Sequence, residues 1–325
     1  MLKINSTGAV DGRTPSGREK IKMLRDKLAH FYSWRSVADE KLRPTMERFA
    51  AAGHERLVVG DRWCERILAD PAFRKTLKDA FAGSICVAGG SHAPYWEERD
   101  VKIDSFTDDP DSRFVKKHLA LLELLPAEFG VKTYTLHIGW RPDGTTPGEY
   151  MERVIRGLEI LLPAAEKNGV TIALENAFSP ASNAAALKKY VEHFDSPNLG
   201  VCVDVGHANI SLRTPGKTED KIRLDAIQRM NMEVVFCDKR MEEELLPYLV
   251  VAHLHDNDGF ADEHNMPMTG TVDWTEILGI LARAPRLASV EDEAGPRGMT
   301  PEEVSEVYDR LFAQYARDMD MKKVS

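Results

Sequence analysis

Residues 199–208 read LGVCVDVGHA, and this decamer decides the fold. Leu199–Val203 is an unbroken apolar and glycine run, lacking the apolar-polar alternation of a half-wet strand. It therefore fits a strand buried on both faces, as in a parallel sheet. The run stops abruptly on Asp204, and a carboxylate ending a buried strand is costly unless it is paired or holds a metal. The same pattern recurs on either side: Glu55–Gly60 (ERLVVG), Ser84–Ala88 (SICVA), Val131–His137 (VKTYTLH), Val170–Glu175 (VTIALE), Leu249–His255 (LVVAHLH) and Leu287–Glu291 (LASVE). Lys3–Asn5 supplies a frayed first strand.

Amphipathic stretches lie between these runs. Ser112–Phe129 carries apolar residues at helical spacing and stops at Gly130, where a glycine beyond the last turn belongs. Thr146-Pro147 opens the next helix with a capping residue and a first-turn proline, Gly169 closes it, and Thr300-Pro301-Glu302-Glu303 repeats the start signal. Eight strand-helix units in about 300 residues predict a (β/α)8 TIM barrel over residues 1–325 as a single domain. An open doubly wound sheet is the competitor. No GxGxxG follows the first strand, which counts against its dinucleotide-binding form. Two segments fall outside the repeat, an N-terminal extension over about 9–35 and an insertion over about 208–247. Charged stretches of this kind are mostly solvated faces, and a lid or a homo-oligomer contact is the other role open to them.

Composition narrows the function. In 325 residues, 43% hydrophobic and 29% charged, there is apolar material for one large core. Lys+Arg 43 against Asp+Glu 52 gives −9, an acidic balance that repels nucleic acid and anionic membrane. No apolar run of about 18 residues exists to span a membrane. The start lacks the apolar core of a secretory signal, and Cys64, Cys86, Cys202 and Cys237 form no CxxC pair. A reducing, cytoplasmic address follows as the expectation.

The acids and histidines fall where a barrel keeps its chemistry. His92, His137, His207, His253, His255 and His264 sit at or just after strand ends, and Glu175, Asp204 and Glu291 terminate apolar runs. Strand C-termini converge on one face of a parallel barrel. Glu, Asp, His and Glu from successive strands make an oxygen- and nitrogen-donor cage suited to Mn²⁺, Mg²⁺, Co²⁺ or Zn²⁺. His253 and His255 share a strand face, as do Glu291 and Glu293, so spacing alone leaves each choice open. Glu291, which ends the apolar run, is preferred to Glu293, and the two histidines stay open on spacing. Trp96 and Trp140 follow two strand ends closely, where core or lid packing is the commoner role and an apolar wall over a ligand the other.

These residues carry a resemblance. SHAPY (91–95), TLHIG (135–139), ALEN (173–176), LGVCVDVGHA (199–208), HLHDNDG (253–259), DEH (262–264) and GTVDW (270–274), in this order, resemble the xylose isomerase-like barrel superfamily. That superfamily holds sugar isomerases and epimerases and the endonuclease IV type of apurinic-site nuclease. The isomerase branch implies one divalent metal, Mn²⁺ or Mg²⁺/Co²⁺, on Glu175, Asp204, His253 and Glu291, with His255 the alternative histidine. It also implies Glu175 and Glu291 as catalytic proton carriers through a metal-stabilised enediolate. His92, His137, His207, His264, Trp96 and Trp140 would bind a small carbohydrate. The resemblance implies two rivals: a lyase of the same site chemistry, like inosose dehydratases or C-glycoside-cleaving subunits, and a three-zinc phosphodiesterase. The latter would use His92, His137, Glu175, Asp204, His207, His253, Asp262, His264 and Glu291. Against the nuclease stand a first strand without histidine, the non-glycine loop 176–180 and the acidic balance. The sequence reading therefore favours the isomerase or epimerase.

Overall fold

In the computed structural model, eight parallel strands follow one another in chain order around a closed barrel. Residues 17–31, 37–94, 106–223, 234–295 and 298–321 are described. The strands are β1 (Leu28–His30), β2 (Arg56–Val59), β3 (Val87–His92), β4 (Thr133–His137), β5 (Thr171–Glu175), β6 (Leu199–Asp204), β7 (Leu249–His253) and β8 (Ser289–Asp292). Every residue of β6, β7 and β8 is buried, as expected between a filled barrel interior and an outer helical layer.

The helices that shape the site are α1 (Gly17–Arg25), α2 (Leu42–Ala51), α3 (Asp61–Ala69), α4 (Pro71–Ala82), α5 (Arg113–Phe129), α6 (Pro147–Asn168), α7 (Ala184–Phe194), α8 (Val205–Ser211), α9 (Met241–Glu244), α10 (Trp274–Leu281) and α11 (Pro301–Met321). Their ends follow the capping chemistry in the sequence. Ser112 accepts from the Val115 N–H, Thr146 and Glu149 form a reciprocal capping box, and Gly130 and Gly169 close α5 and α6 in the left-handed region. Thr300 and Glu303 exchange the same pair of bonds at the start of α11.

Two strand expectations need correction. The first barrel strand is Leu28–His30, inside the segment read as an N-terminal extension; Lys3–Asn5 lies outside the described residues. A three-residue strand ending in histidine carries almost no periodic signal. It is held instead by a polar clasp: Asp292 Oδ1 accepts from the Phe31 N–H at 2.6 Å, while Oδ2 pairs with His30 Nδ1. The His30 ring stacks on Phe49 at 4.6 Å, and β1 pairs with β8 from Leu28↔Val290 to His30↔Asp292. The preceding α1 is tied to α11 through Arg25 and Asp309. The third strand, expected at Ser84–Ala88, begins instead at Val87 and runs through Gly89-Gly90. Glycines weaken strand signals, yet the sheet requires them here: a Cβ on Gly90 would lie 2.2 Å from Glu291 Oε1, and one on Gly89 would lie 2.6 Å from Ala29 Cβ.

The segment read as the 208–247 insertion folds back on the barrel's rim. Phe178, Ile210, Ile222 and Val234 make a small separate core, packed by Phe236 and Phe260. Lys217 donates from its buried ammonium to the carbonyls of Asn209, Ile210 and Leu212, closing the C-terminal end of α8. Residues 224–233 lie outside the described set. Among the described residues no helix is long and apolar enough to cross a membrane.

Candidate metal centre

The barrel's register sets the site. His137 pairs with Glu175, Asp204 with His253, and His253 with Glu291, so these side chains emerge at one end of the barrel. Along β8 the side chains alternate: Asp292 turns outward to His30, while Glu291 and Glu293 both face His253.

Among the described residues three groups of donor atoms result, the atoms of each lying within 4.8 Å of one another. The first is Glu175, Asp204, His253 and Glu293. His253 Nδ1 lies 2.8 Å from Glu293 Oε2, 3.6 Å from Glu175 Oε2 and 3.8 Å from Asp204 Oδ2. The second adds His92 to Glu175 and His253; here His92 Nε2 and His137 Nε2 approach the same Glu175 oxygen at 3.3 and 3.2 Å. The third is His207, His255, Asp262 and His264, with Asp262 3.4 Å from His207 Nε2 and 3.3 Å from His264 Nε2. Metal bonds of roughly 2.0–2.1 Å at a tetrahedral angle set neighbouring donors about 3.3 Å apart. Several of these separations match that edge length.

The residues fit an ion on two further grounds. Among the described residues, Glu175 Oε1, Asp262 Oδ1 and His253 Nε2 are buried and make no hydrogen bond, and His253 Nδ1 and Glu293 Oε2 meet only each other as an ion pair, a costly state unless a ligand completes it. Three histidines are also pre-aimed. His92, His207 and His264 each turn Nδ1 to a backbone carbonyl, of Ala93, Asn176 and Glu293, at 2.8–2.9 Å, leaving Nε2 toward the carboxylates. A metal-binding imidazole is held this way by its far nitrogen. These clusters point to a divalent metal.

Electrostatics agree. Burial would push the Glu175 carboxyl up, but His137, His253 and His92 outweigh it and hold it well below the usual carboxylate range. Burial pushes His207 down, and Asp204 and Asp262 overcome it, leaving it well above an ordinary histidine. His264 behaves likewise: burial opposes, Asp262 dominates, and its value rises to about 10. His137 goes the other way, lowered by burial to about 4 despite Glu175. Protons on His207 and His264 thus stand where an ion would neutralise the acids.

Among the expected site residues, Glu175, Asp204, His253, His92, His137, His207 and His264 converge on this end of the barrel. Trp96 lies outside the described residues; Trp140 is half-buried just beyond β4. The fourth donor of the first group is Glu293, and Glu291 sits on the other side of His253, 3.4 Å from Nε2. His255 sets Nε2 2.9–3.0 Å from both Asp204 oxygens and joins the third group. Its ring stacks on His264 at 4.0 Å and lies against Gly206, where a Cβ would come 1.9 Å from His255 Cε1. Asn176 had drawn no attention beyond its place in the ALEN string. Its side chain bonds both backbone groups of Asp204, locking β5 to β6 at the ligands.

The sequence profile of the xylose isomerase-like TIM barrel matches residues 66–310. The chain belongs to that family. An uncharacterized protein of Methanocaldococcus jannaschii, MJ1311, is 26% identical over 161 residues, so this chain spans about half (46%) of that relative's length and the match covers 46% of its own. Among solved structures, a D-tagatose 3-epimerase-like protein superposes with TM-score 0.61 at 18% identity, covering 92% of this chain and 100% of that one. An AP endonuclease, family 2, from Brucella melitensis superposes with TM-score 0.62 at 13% identity, covering 87% and 98%. At such identities the likeness is one of fold, and both kinds of enzyme share it.

Proposed function

We propose that the chain is a divalent-metal-dependent hydrolase of phosphate esters with a multinuclear centre. The observation that carries this reading is the gathering of donors into three neighbouring sets: His92, Glu175 and His253, with His137 on the same Glu175 oxygen; Glu175, Asp204, His253 and Glu293; His207, His255, Asp262 and His264. One-ion isomerase chemistry uses the second set alone as ligands, turns the other histidines over to substrate binding and leaves Asp262 without a task. Bound ions would activate water and neutralise charge developing on phosphoryl oxygens.

The chain's own residues do the rest. Glu175 belongs to two sets and fixes their separation. Phe178 packs edge-on against His207 at 4.9 Å, an apolar wall beside the third set. The nitrogen-rich third set suits Zn²⁺, and the carboxylate-rich second set suits Mn²⁺ or Mg²⁺ as well. One argument against a nuclease falls away, because the first strand does contain a histidine, although His30 is spent on Asp292. The balance of −9 still favours a small ester over a long duplex.

A second reading, the sugar isomerase or epimerase, is favoured by Glu175 and Glu293 meeting His253 Nδ1 from β5 and from the end of β8, as a two-carboxylate proton transfer needs. A lyase would share that pair. The deciding experiment incubates Zn²⁺- or Mn²⁺-loaded protein with bis(p-nitrophenyl) phosphate in ¹⁸O-water and, separately, with ketoses in D₂O. Label in the phosphate product supports the hydrolase. Deuterium entering a ketose, with the ester untouched, overturns it in favour of the isomerase.

A further inference from the structure

Glu291 is fully buried in the barrel interior, and neither of its carboxylate oxygens makes a hydrogen bond among the described residues. Space for it is built in: β3 carries Gly90 opposite, where any Cβ would collide with Glu291 Oε1 and come 2.8 Å from Thr133 Oγ1. A barrel does not keep an unpartnered carboxylate and a glycine to admit it without some compensation. The nearest nitrogen is His253 Nε2 at 3.4 Å.

His253 differs from the other donor histidines in orientation. His92, His207 and His264 present Nε2 to the carboxylates and anchor Nδ1 on a carbonyl. His253 presents Nδ1 to Glu293, Glu175 and Asp204, which leaves Nε2 pointing down into the barrel. No hydrogen bond to a carbonyl anchors that nitrogen. Cys202 also lies against His253, but burial raises its thiol far above the usual range, and a protonated sulfur is a weak acceptor.

We propose that Glu291 is a positioning residue: it accepts the Nε2–H of His253, fixing the tautomer that turns the Nδ1 lone pair toward the metal. The arrangement is a carboxylate–histidine–metal relay running down the barrel axis, with Gly90 as its clearance. The carboxylate also makes the imidazole more basic and so a better donor. Two residues of strand separate Glu291 from Glu293, roughly 6.6 Å of rise, which puts one below the imidazole and the other beside its upper face. The pair thus divides its work: Glu293 holds the ion and Glu291 holds the histidine. This rests on Glu175, Asp204, His253 and Glu293 being ligands and does not require the other two sets.

The test measures zinc affinity by chelator competition in full-length Glu291→Ala, Glu291→Gln and Gly90→Ala, with ¹H–¹⁵N spectra of histidine-labelled, zinc-loaded protein. His253 is assigned by its loss in His253→Gln. Glu291→Ala is expected to weaken one site by 10–100-fold, as removal of such partners does, and leave any others within twofold. Glu291→Gln, still an acceptor, is expected to lose less and to keep His253 protonated on Nε2. Gly90→Ala, which displaces the carboxylate without changing it, should reproduce the Glu291→Ala loss. A His253 protonated on Nδ1 in the loaded protein, or affinity unchanged in Glu291→Ala, overturns the proposal. Three ions bound with Glu291 irrelevant would sink this inference and leave the hydrolase reading standing. One ion with Glu291 essential would do the reverse.

Discussion

Glu175→Gln removes one charge from the only carboxylate among the described residues that belongs to two sets, and its consequence is asymmetric. Zinc sites of four protein ligands bind with roughly 10–16 kcal/mol, so each ligand averages about 2.5–4 kcal/mol, or about 10²–10³-fold in affinity. Glu175 Oε2 stands 3.2, 3.3 and 3.6 Å from His137, His92 and His253, so both sets lose a donor at once. The third set keeps all of its donors. Under chelator competition with zinc, Glu175→Gln should weaken two sites by about two to three decades and spare one. Glu293→Gln should weaken one site and spare two. The ion-free protein responds as well. A carboxyl held below its ordinary value contributes stability above the usual carboxylate range and loses it as pH falls. In urea unfolding without metal, the substitution should therefore destabilise at pH 7 and converge with the parent in strong acid. Loss of a single site in Glu175→Gln, matching Glu293→Gln, would refute the shared-ligand geometry.

Zinc uptake by the third set should displace protons from His207 and His264, both raised, His264 to about 10. Its affinity should climb by roughly tenfold per displaced proton per pH unit between pH 6 and 8, and a flat profile by isothermal titration would contradict the assignment. Glu242 on α9 is buried and its carboxyl is raised by burial to about 7 from 4.5, so the folded state holds the proton more tightly and stability is lost as pH rises through that window. Glu242→Gln should match the parent at pH 4 and exceed it by about 3 kcal/mol at pH 8 in urea melts, with equal stability at both pH values as the contrary result. Gly206→Ala must move the His255 ring by about 1.5 Å from its 1.9 Å overlap, costing about 1–3 kcal/mol of stability and weakening the third site; an unchanged melting temperature and zinc affinity would show the ring is not pinned there.

What could be read from sequence depended on how strongly each residue's role leaves a local trace. Leu199–Asp204 is a strand with the predicted bounds, because a run buried on both faces is apolar throughout and ends on its ligand. β1 left no such trace, since its three residues are held by Asp292 on the neighbouring strand β8, 262 positions away in the chain. β3 was displaced toward Ser84 because its glycines answer to Glu291, a partner no local window contains. The site divides the same way. Glu175, Asp204 and His253 stood out as polar residues closing apolar runs. Period two places Glu291 and Glu293 on one face, and the apolar run ends before both, so only depth along the barrel axis tells them apart. That depth is set by the register of β8 against β7, with His253 opposite Glu291.

A multinuclear centre built from these three donor sets is tested by counting the ions it holds. Metal-free protein would be equilibrated with micromolar zinc, dialysed, and analysed for zinc per chain by elemental mass spectrometry. Close to three ions per chain are expected, falling to about one in Glu175→Gln and about two in Asp262→Asn. A parent chain that holds a single ion, with Asp262→Asn unchanged, would contradict it and return the site to one-metal sugar chemistry.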